Sequence, residues 1–307
     1  MVCSAGTHTS RVLRSSPVDG FRLAYERTGT GPAVVLLHGW PGDHADYRDV
    51  TPLLEDSADV IVPDLRGFGE SDKHLEDPSS AYSAAAQARS VLGLIDELHL
   101  SAPLIAGYDI GSRITQTIAR AAPGRLRAIV LCPPLPGVGR RVLSPDAQRE
   151  FWYQAFHQLG LAGELIDGNA RAVRAYLRHF WEHWSGPGYR QPEADLDRLA
   201  GIYSEPGAFT ASIGWYRAGS GTVASSILEQ PPDPRELISA DTLILWPEHD
   251  PLFPQAWSDR VPEFFSRARL QLLPGIGHFV PLEAPQTFAS AIQDALKSVQ
   301  LDDDPAV

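Results

Sequence analysis

A five-residue motif in the first half of the chain has the spacing of a turn that presents a nucleophile. Residues 107–111 read Gly-Tyr-Asp-Ile-Gly, between an apolar run typical of a strand and a segment typical of a helix. Glycines on both sides suit a turn too tight for Cβ atoms beside the central residue. Because a carboxylate is already ionised, Asp109 can attack an sp³ carbon without a general base. The structural alternative is that Asp109 only caps the following helix.

Two later segments contain the partners that such a nucleophile needs. Residues 246–250, Trp-Pro-Glu-His-Asp, follow one predicted strand, and residues 277–279, Gly-His-Phe, follow the next. The order nucleophile, acid, histidine at successive strand ends is that of a hydrolytic triad. We predict that Asp109 is the nucleophile, that His278 activates water and that Asp250 orients His278.

Two glycine-containing turns follow earlier predicted strands. Residues 38–41, His-Gly-Trp-Pro, bring the backbone N–H of Trp40 to the sheet edge. We predict that this N–H and that of Ile110 form an oxyanion hole. Residues 64–72 form the second turn, which we interpret as a structural segment that shapes the sheet edge.

Strands and helices alternate around these motifs, which predicts an α/β fold with a doubly wound, mostly parallel sheet. From residue 133 to 240 only helical patterns appear, which indicates a helical cap inserted over the carboxyl edge of the sheet. The predicted division is a first core part (1–133), a cap (134–222) and a second core part with a frayed acidic tail (223–307). The predicted strands are 21–26, 33–39, 58–64, 102–109, 126–132, 241–247 and 268–274, and the predicted helices are 81–98, 111–122, 145–160, 169–184, 193–203, 208–218, 255–265 and 285–299.

Composition limits the classes of function. The 307 residues are 43% hydrophobic and carry a net charge of −12, the balance of a folded protein that repels nucleic acids and anionic membranes. Two cysteines, Cys3 and Cys132, are too few for a disulfide framework and indicate reduced thiols in a cytoplasmic protein. We find no signal-peptide core and no apolar stretch of membrane-spanning length. The sequence leaves the oligomeric state open, a homo-oligomer included.

One motif suggests a metal and needs a separate interpretation. Residues 179–183, His-Phe-Trp-Glu-His, match the H-x-x-E-H pattern of some zinc enzymes, and two histidines four residues apart share a helix face. The segment lies in the predicted cap, away from the strand ends where the other motifs converge. We therefore expect no metal there.

The motifs in combination resemble the α/β-hydrolase superfamily, and most of all its epoxide hydrolase branch, whose relatives are haloalkane and fluoroacetate dehalogenases. The resemblance covers about residues 20–298. It rests on HGWP (38–41), DLRGFGESD (64–72), GYDIGS (107–112), an Asp at 250 and GHFVPLEAP (277–285).

The positions around the nucleophile separate these branches. Haloalkane dehalogenases usually have Trp after the nucleophile and Asn after the His-Gly pair, whereas this chain has Ile110 and Trp40. Fluoroacetate dehalogenases usually carry two arginines soon after the nucleophile and a His-Trp pair in the cap. This chain keeps Arg113 alone and has Trp152-Tyr153 in the cap.

The resemblance implies two cap tyrosines that hold the epoxide oxygen. The segments Phe-Trp-Tyr-Gln and Gly-Trp-Tyr-Arg supply Tyr153 and Tyr216. The alternative for each is a core residue whose hydroxyl reaches solvent. Trp152 and Trp215 precede the two tyrosines, and we expect their rings to line a pocket that favours a bulky, apolar epoxide.

The implied activity is that of an epoxide hydrolase acting on a small molecule. Asp109 would attack an epoxide carbon to form an alkyl ester, and water activated by His278 would release a vicinal diol. This chemistry needs no metal or organic cofactor. Two alternatives remain: a dehalogenase that cleaves a carbon–halogen bond, and a catalytically silent ligand-binding protein of the same fold.

Overall fold

The structure, a computed structural model, describes residues 11–302, and its strands form one eight-stranded sheet. Cys3 and the last residues of the acidic tail, 303–307, lie outside the described residues. The strands are β1 (Leu13–Arg14), β2 (Ala24–Thr28), β3 (Ala33–Leu37), β4 (Asp59–Pro63), β5 (Leu104–Gly107), β6 (Ala128–Leu131), β7 (Asp241–Pro247) and β8 (Ala268–Leu273).

The sheet has the order β1-β2-β4-β3-β5-β6-β7-β8 and is mostly parallel. Strand β2 runs antiparallel to β1 and β4, and each of the other neighbouring pairs is parallel. The central strands β5 and β6 are buried along their whole length, as continuous apolar runs covered on both faces should be. The predicted α/β fold with a doubly wound, mostly parallel sheet is confirmed. Strand β1 was not predicted, because two residues carry too little pattern.

Helices flank the sheet before and after a long insertion. Before it come α1 (Pro78–Ala81), α2 (Ala84–Glu97) and α3 (Ile110–Ala121), with 3₁₀ turns at His44–Tyr47 and Thr51–Leu53. After it come a 3₁₀ segment at Gln255–Glu263 and two α-helices, Val280–Glu283 and Pro285–Asp302. The predicted helix 81–98 is interrupted, because Ser83 has an extended backbone and caps α2 by accepting from the Ala86 N–H.

The named elements of the insertion between β6 and β7 are all helices or 3₁₀ turns. Its α-helices are α4 (Pro145–Glu150), α5 (Trp152–Gln158), α6 (Gly160–Ile166), α7 (Ala170–Trp184), α8 (Glu193–Tyr203), α9 (Ala208–Ser212), α10 (Gly214–Arg217) and α11 (Val223–Leu228), with 3₁₀ turns at Gly139–Leu143 and Pro234–Glu236. The prediction of single helices at 145–160 and 208–218 was wrong. A non-helical Phe151 separates α4 from α5, and a non-helical Ile213 separates α9 from α10.

The insertion is tied to the core at the turn that follows β3. Arg198 on α8 makes a bidentate ion pair with the buried Asp43, at 2.6 and 3.0 Å. The Tyr203 hydroxyl donates to the Gly42 carbonyl (2.9 Å), and the Trp181 indole N–H donates to the Pro41 carbonyl (3.2 Å). These bonds fix the cap helices over the carboxyl edge of the sheet. The residue limits of the predicted three-part division remain a prediction.

Within residues 11–302 there is no helix long and apolar enough to span a bilayer.

Candidate active site

Asp109 occupies a strained turn between β5 and α3. Its backbone has φ 49° and ψ −123°, a conformation that costs a non-glycine residue on the order of 1–3 kcal/mol. A Cβ on Gly107 would lie 2.6 Å from the Gly111 backbone, and a Cβ on Gly111 would lie 2.0 Å from the Leu37 carbonyl oxygen. Both glycines are therefore required by the close approach of strand and helix. Within the described chain the Asp109 carboxylate makes no capping bond to α3, which excludes the purely structural alternative.

Asp250 and His278 follow β7 and β8 and meet Asp109 at the carboxyl edge of the sheet. The His278 Nδ1 lies 2.8 Å from Asp250 Oδ2, and its Nε2 lies 3.4 Å from Asp109 Oδ2. The second Asp250 oxygen accepts from the backbone N–H groups of Leu252 (2.9 Å) and Phe253 (3.3 Å). Backbone N–H groups thus fix one Asp250 oxygen, and the other oxygen orients the imidazole of His278.

The two carboxylates determine the charge of His278. Burial alone would lower the pKa of this imidazole. The negative charges of Asp250 and Asp109 raise the pKa by more than burial lowers it, to about 10. At neutral pH the resting site therefore holds an imidazolium between two carboxylates.

The turn after β3 supplies a backbone donor to Asp109. The Trp40 N–H donates to Asp109 Oδ1 at 2.7 Å. Gly39 makes this approach feasible, because a Cβ there would lie 2.5 Å from the Asp109 Cβ. Ile110, predicted as the second donor, is the first residue of α3 and lines the cavity beside Asp109. Its role in an oxyanion hole remains a prediction.

Tyr153 on α5 and Tyr216 on α10 are both buried beside Asp109. Their rings pack edge to face with centroids 5.6 Å apart, and the Trp40 ring stacks on Tyr153 at 5.8 Å with an interplanar angle of 4°. Burial raises the pKa of both phenols well above the ordinary value, and the Asp109 charge adds to this effect. Both hydroxyls are therefore neutral donors across the physiological pH range.

A small cavity joins the nucleophile to the two tyrosines. Its volume is about 30 Å³, and it is lined by Asp109, Ile110, Arg113, Pro134, Val138, Val142, Phe151, Tyr153, Gln154, Trp215, Tyr216, Gly221, Ser226 and Phe253. Ligand sites usually measure roughly 300–1,000 Å³, so a substrate must displace some of these side chains. The expectation of a bulky substrate gains no support from this volume and remains a prediction.

The two tryptophans that precede the tyrosines are placed differently. Trp215 lines the cavity, as expected. Trp152 does not: it is 43% exposed on the outer face of the cap, where its ring stacks on Phe180 at 6.0 Å. Adjacent residues on a helix point about 100° apart, and the buried face of α5 belongs to Tyr153. The predicted pocket role of Trp152 is therefore corrected.

Sequence reasoning missed a buried histidine beneath the tyrosines. His157 Nε2 lies 3.0 Å from the Tyr176 hydroxyl, and the ring packs against Trp40 (4.8 Å) and Tyr216 (4.7 Å). Burial lowers the pKa of His157 well below its usual value, so the ring is neutral. The signal that could have identified it is its position four residues after Tyr153, on the same face of α5.

The H-x-x-E-H segment lies on α7, at the surface of the cap. His183 Nε2 contacts Glu150 at 2.6 Å, and the His179 and His183 rings stack 5.7 Å apart. No cluster of three potential metal ligands occurs within residues 11–302.

The chain matches known proteins over most of its length. It is 30% identical over 210 residues to the soluble epoxide hydrolase of Corynebacterium sp., covering 66% of this chain and 70% of that protein. It is 27% identical over 284 residues to haloalkane dehalogenase 2 of Mycobacterium bovis, covering 88% and 90%.

Comparison of structures gives the same fold. The crystal structure of a Nostoc sp. PCC 7120 protein assigned to the alpha/beta hydrolases superposes with a TM-score of 0.83 at 24% identity, covering 94% of this chain and 98% of that one. The protein-family model that describes the alpha/beta hydrolase fold matches residues 32–285 of this chain. The chain therefore belongs to the alpha/beta hydrolase fold family.

Proposed function

We propose that this protein is an epoxide hydrolase, which opens an epoxide to a vicinal diol through a covalent ester on Asp109. The observation that carries the proposal is the pair of buried, neutral phenols, Tyr153 and Tyr216, on the same cavity as the nucleophile. When the epoxide ring opens, its oxygen becomes an alkoxide, a strong base that needs hydrogen-bond donors and finally a proton. Two phenols opposite a carboxylate meet both needs.

The first half-reaction uses Asp109 and the tyrosines. Oδ1 accepts from the Trp40 N–H, so Oδ2 is the oxygen available to attack carbon. Attack forms a C–O ester bond and breaks the ring C–O bond, and the alkoxide takes a proton from a tyrosine. Asp109 needs no base for this step, which is consistent with a charged His278 in the resting site.

The second half-reaction requires neutral His278. Esterification removes the negative charge of Asp109, which is one of the two charges that raise the pKa of His278. The pKa falls, and the imidazolium can return a proton to the tyrosinate. Neutral His278 then takes a proton from water as the water attacks the ester carbonyl. The oxyanion on the former Oδ1 is stabilised by the Trp40 N–H. Collapse breaks the bond between the carbonyl carbon and the substrate oxygen, and that oxygen takes the remaining proton of the attacking water, which releases the diol and restores ionised Asp109.

A dehalogenase is the second candidate, favoured by the similarity to the M. bovis haloalkane dehalogenase. The same ester forms, but the leaving group is a halide, which is a weak base and needs no proton. Neutral tyrosines beside the nucleophile therefore favour the epoxide, since a halide would accept only a hydrogen bond from them, whereas an alkoxide also takes a proton. Chloride or bromide release without diol formation would support the dehalogenase instead.

A panel of aryl and alkyl epoxides, assayed for diol formation, tests the proposal. A single turnover in H₂¹⁸O with enzyme in excess then tests the route. If Asp109 attacks carbon, the first diol carries unlabelled oxygen from the carboxylate, and the label enters the protein. Direct attack of water on the epoxide would label the first diol. Absence of turnover on the whole panel, with folded protein, would contradict the proposal and favour a silent ligand-binding role.

A further inference from the structure

Two polar atoms at the cavity have no hydrogen-bond partner among the described residues. They are the Nε of Arg113 and the Oε1 of Gln154, and both side chains line the cavity with Asp109. A buried polar group without a partner costs about 1–3 kcal/mol, so each atom is expected to be satisfied by a molecule in the cavity. The reaction described above uses neither atom.

Arg113 is not simply a free positive charge in this site. Its Nη1 lies 3.4 Å from Glu229 Oε1, and the other Glu229 oxygen accepts from the Gly137 N–H at 2.7 Å. Glu229 therefore offsets the guanidinium charge at its far end. The buried Arg113 atom that is left without a partner is Nε, which carries a single N–H donor.

Gln154 supplies the complementary acceptor. It is 7% exposed and directly follows Tyr153, with whose hydroxyl its side chain interacts. Arg113 lies four residues after Asp109, on the first turn of α3. The unpaired donor and acceptor thus belong to side chains that line the same cavity as Asp109 and Tyr153, the two groups proposed to act on the breaking C–O bond.

We propose, on the basis of the proposed function, that the substrate is an epoxide with a hydroxyl group on the carbon next to the ring. A hydroxyl can accept from Arg113 Nε–H and donate to Gln154 Oε1. A carboxylate can only accept, and it would face Gln154 Oε1, Glu229 and Asp109. An alkyl group would leave both polar atoms buried and unpaired.

Three substrates of matched size test this specificity: trans-2,3-epoxybutan-1-ol, trans-2,3-epoxypentane and trans-2,3-epoxybutanoate. The wild-type kcat/KM for the alcohol should exceed that for the alkyl analogue by at least ~10-fold, because the alcohol pairs two otherwise unsatisfied groups. It should exceed that for the carboxylate as well. The ratio of alcohol to alkyl analogue is then measured in variants, so that the intrinsic reactivity of each epoxide cancels.

Two variants remove the two partners separately. Arg113→Lys keeps a positive charge for Glu229 but has no Nε–H, and Gln154→Met removes the acceptor oxygen at similar volume. Each should reduce the alcohol-to-alkyl ratio by at least ~5-fold. Arg125→Gln, an exposed arginine just after the same helix that pairs with Asp96, is the matched control and should leave the ratio unchanged.

The outcomes separate this inference from the proposed function. Turnover of epoxides without preference for the alcohol would overturn the hydroxyl specificity and leave the epoxide hydrolase proposal intact. A preference for the carboxylate, or an alcohol preference that both variants retain, would overturn it as well. Failure of wild-type protein to open any of the epoxides would instead count against the proposed function.

Discussion

His278 Nε2 lies 3.4 Å from Asp109 Oδ2, close enough for the carboxylate to raise the pKa of the imidazole. With Asp250, Asp109 keeps His278 protonated in the resting site. In the proposed mechanism, alkylation of Asp109 removes one of these two charges. The first chemical step then prepares the base for the second.

Asp109→Asn should lower kcat by at least ~10³-fold, because an amide is a weak nucleophile and the ester cannot form. The measurement is diol formation by freshly purified variant. Mass spectrometry of the peptide that contains residue 109 is the control, since slow deamidation would regenerate Asp. Full turnover by verified Asn variant would show that Asp109 is not the nucleophile.

His278→Gln should separate the two half-reactions. Alkylation needs Asp109 and the tyrosines, so the ester should form and then persist without its hydrolytic base. Intact-protein mass spectrometry after addition of an epoxide should find an adduct one substrate mass heavier, on the peptide that contains Asp109. The double variant with Asp109→Asn should form none. A variant that neither turns over nor accumulates adduct would contradict the role given to His278.

Tyr153→Phe and Tyr216→Phe should each reduce kcat/KM for an epoxide by at least ~10-fold, and the double variant by at least ~10²-fold, the scale of general acid catalysis. Each change removes one oxygen and keeps the ring contacts with Trp40. Thermal stability of the variants serves as the control for folding. Retention of epoxide turnover by the double variant would exclude the phenols as proton donors.

Stability should depend on pH through His278. Its folded pKa of about 10 lies above the ordinary 6.5, so its contribution is fully present below pH 6.5 and is lost as pH rises towards 10. His44, whose pKa burial lowers but Asp64 raises to about 9, adds a loss of the same sign. The free energy of unfolding should therefore fall over this window in wild-type protein. The free energy of unfolding should fall less steeply with pH in His278→Gln. Equal slopes in the variant and the wild-type protein would contradict a protonated His278 in the folded state.

The apolar wall of the cavity predicts a size preference. Burial of roughly 25 cal/mol per Å² against Trp215, Phe151 and Phe253 should make kcat/KM for styrene oxide at least ~10-fold higher than for propylene oxide, or about 1.4 kcal/mol. Trp215→Ala should reduce this ratio. Equal or reversed selectivity in wild-type protein would mean that the side chains lining the small cavity do not move enough to admit an aromatic ring.

The sheet and the convergence of the site motifs at its edge could both be predicted from the sequence. Parallel strands end at one edge of a sheet, so motifs that follow β3, β5, β7 and β8 had to converge there. The distances among Asp109, Asp250 and His278 agree with that expectation. Strand positions were predictable to within a few residues, because continuous apolar runs between turns leave little choice of register.

The cap was less predictable, because its short helices depend on tertiary contacts. The break at Phe151 has no proline or glycine beside it, only Glu150 and Trp152. Trp152 and Tyr153 are adjacent and both aromatic, and burial against the core decides which of them faces inward. His157 and Gln154 gained significance only when the helix placed them beside the tyrosines. Pattern alone cannot distinguish a cavity-lining polar residue from a surface one.

The bonds between the cap and the turn after β3 affect how substrate reaches the site. Arg198, Tyr203 and Trp181 all bind residues 41–43, immediately after the Trp40 N–H that contacts Asp109. A cap that lifted on this side would pull the Trp40 donor away from the carboxylate and interrupt catalysis. Entry is therefore expected from the opposite side, past the 3₁₀ turn at Gly139–Leu143 and α11, whose residues Val142 and Ser226 line the cavity. Movement of these two segments would admit a molecule without moving the Trp40 N–H away from Asp109. Substrate exchange and bond cleavage would then depend on different parts of the cap.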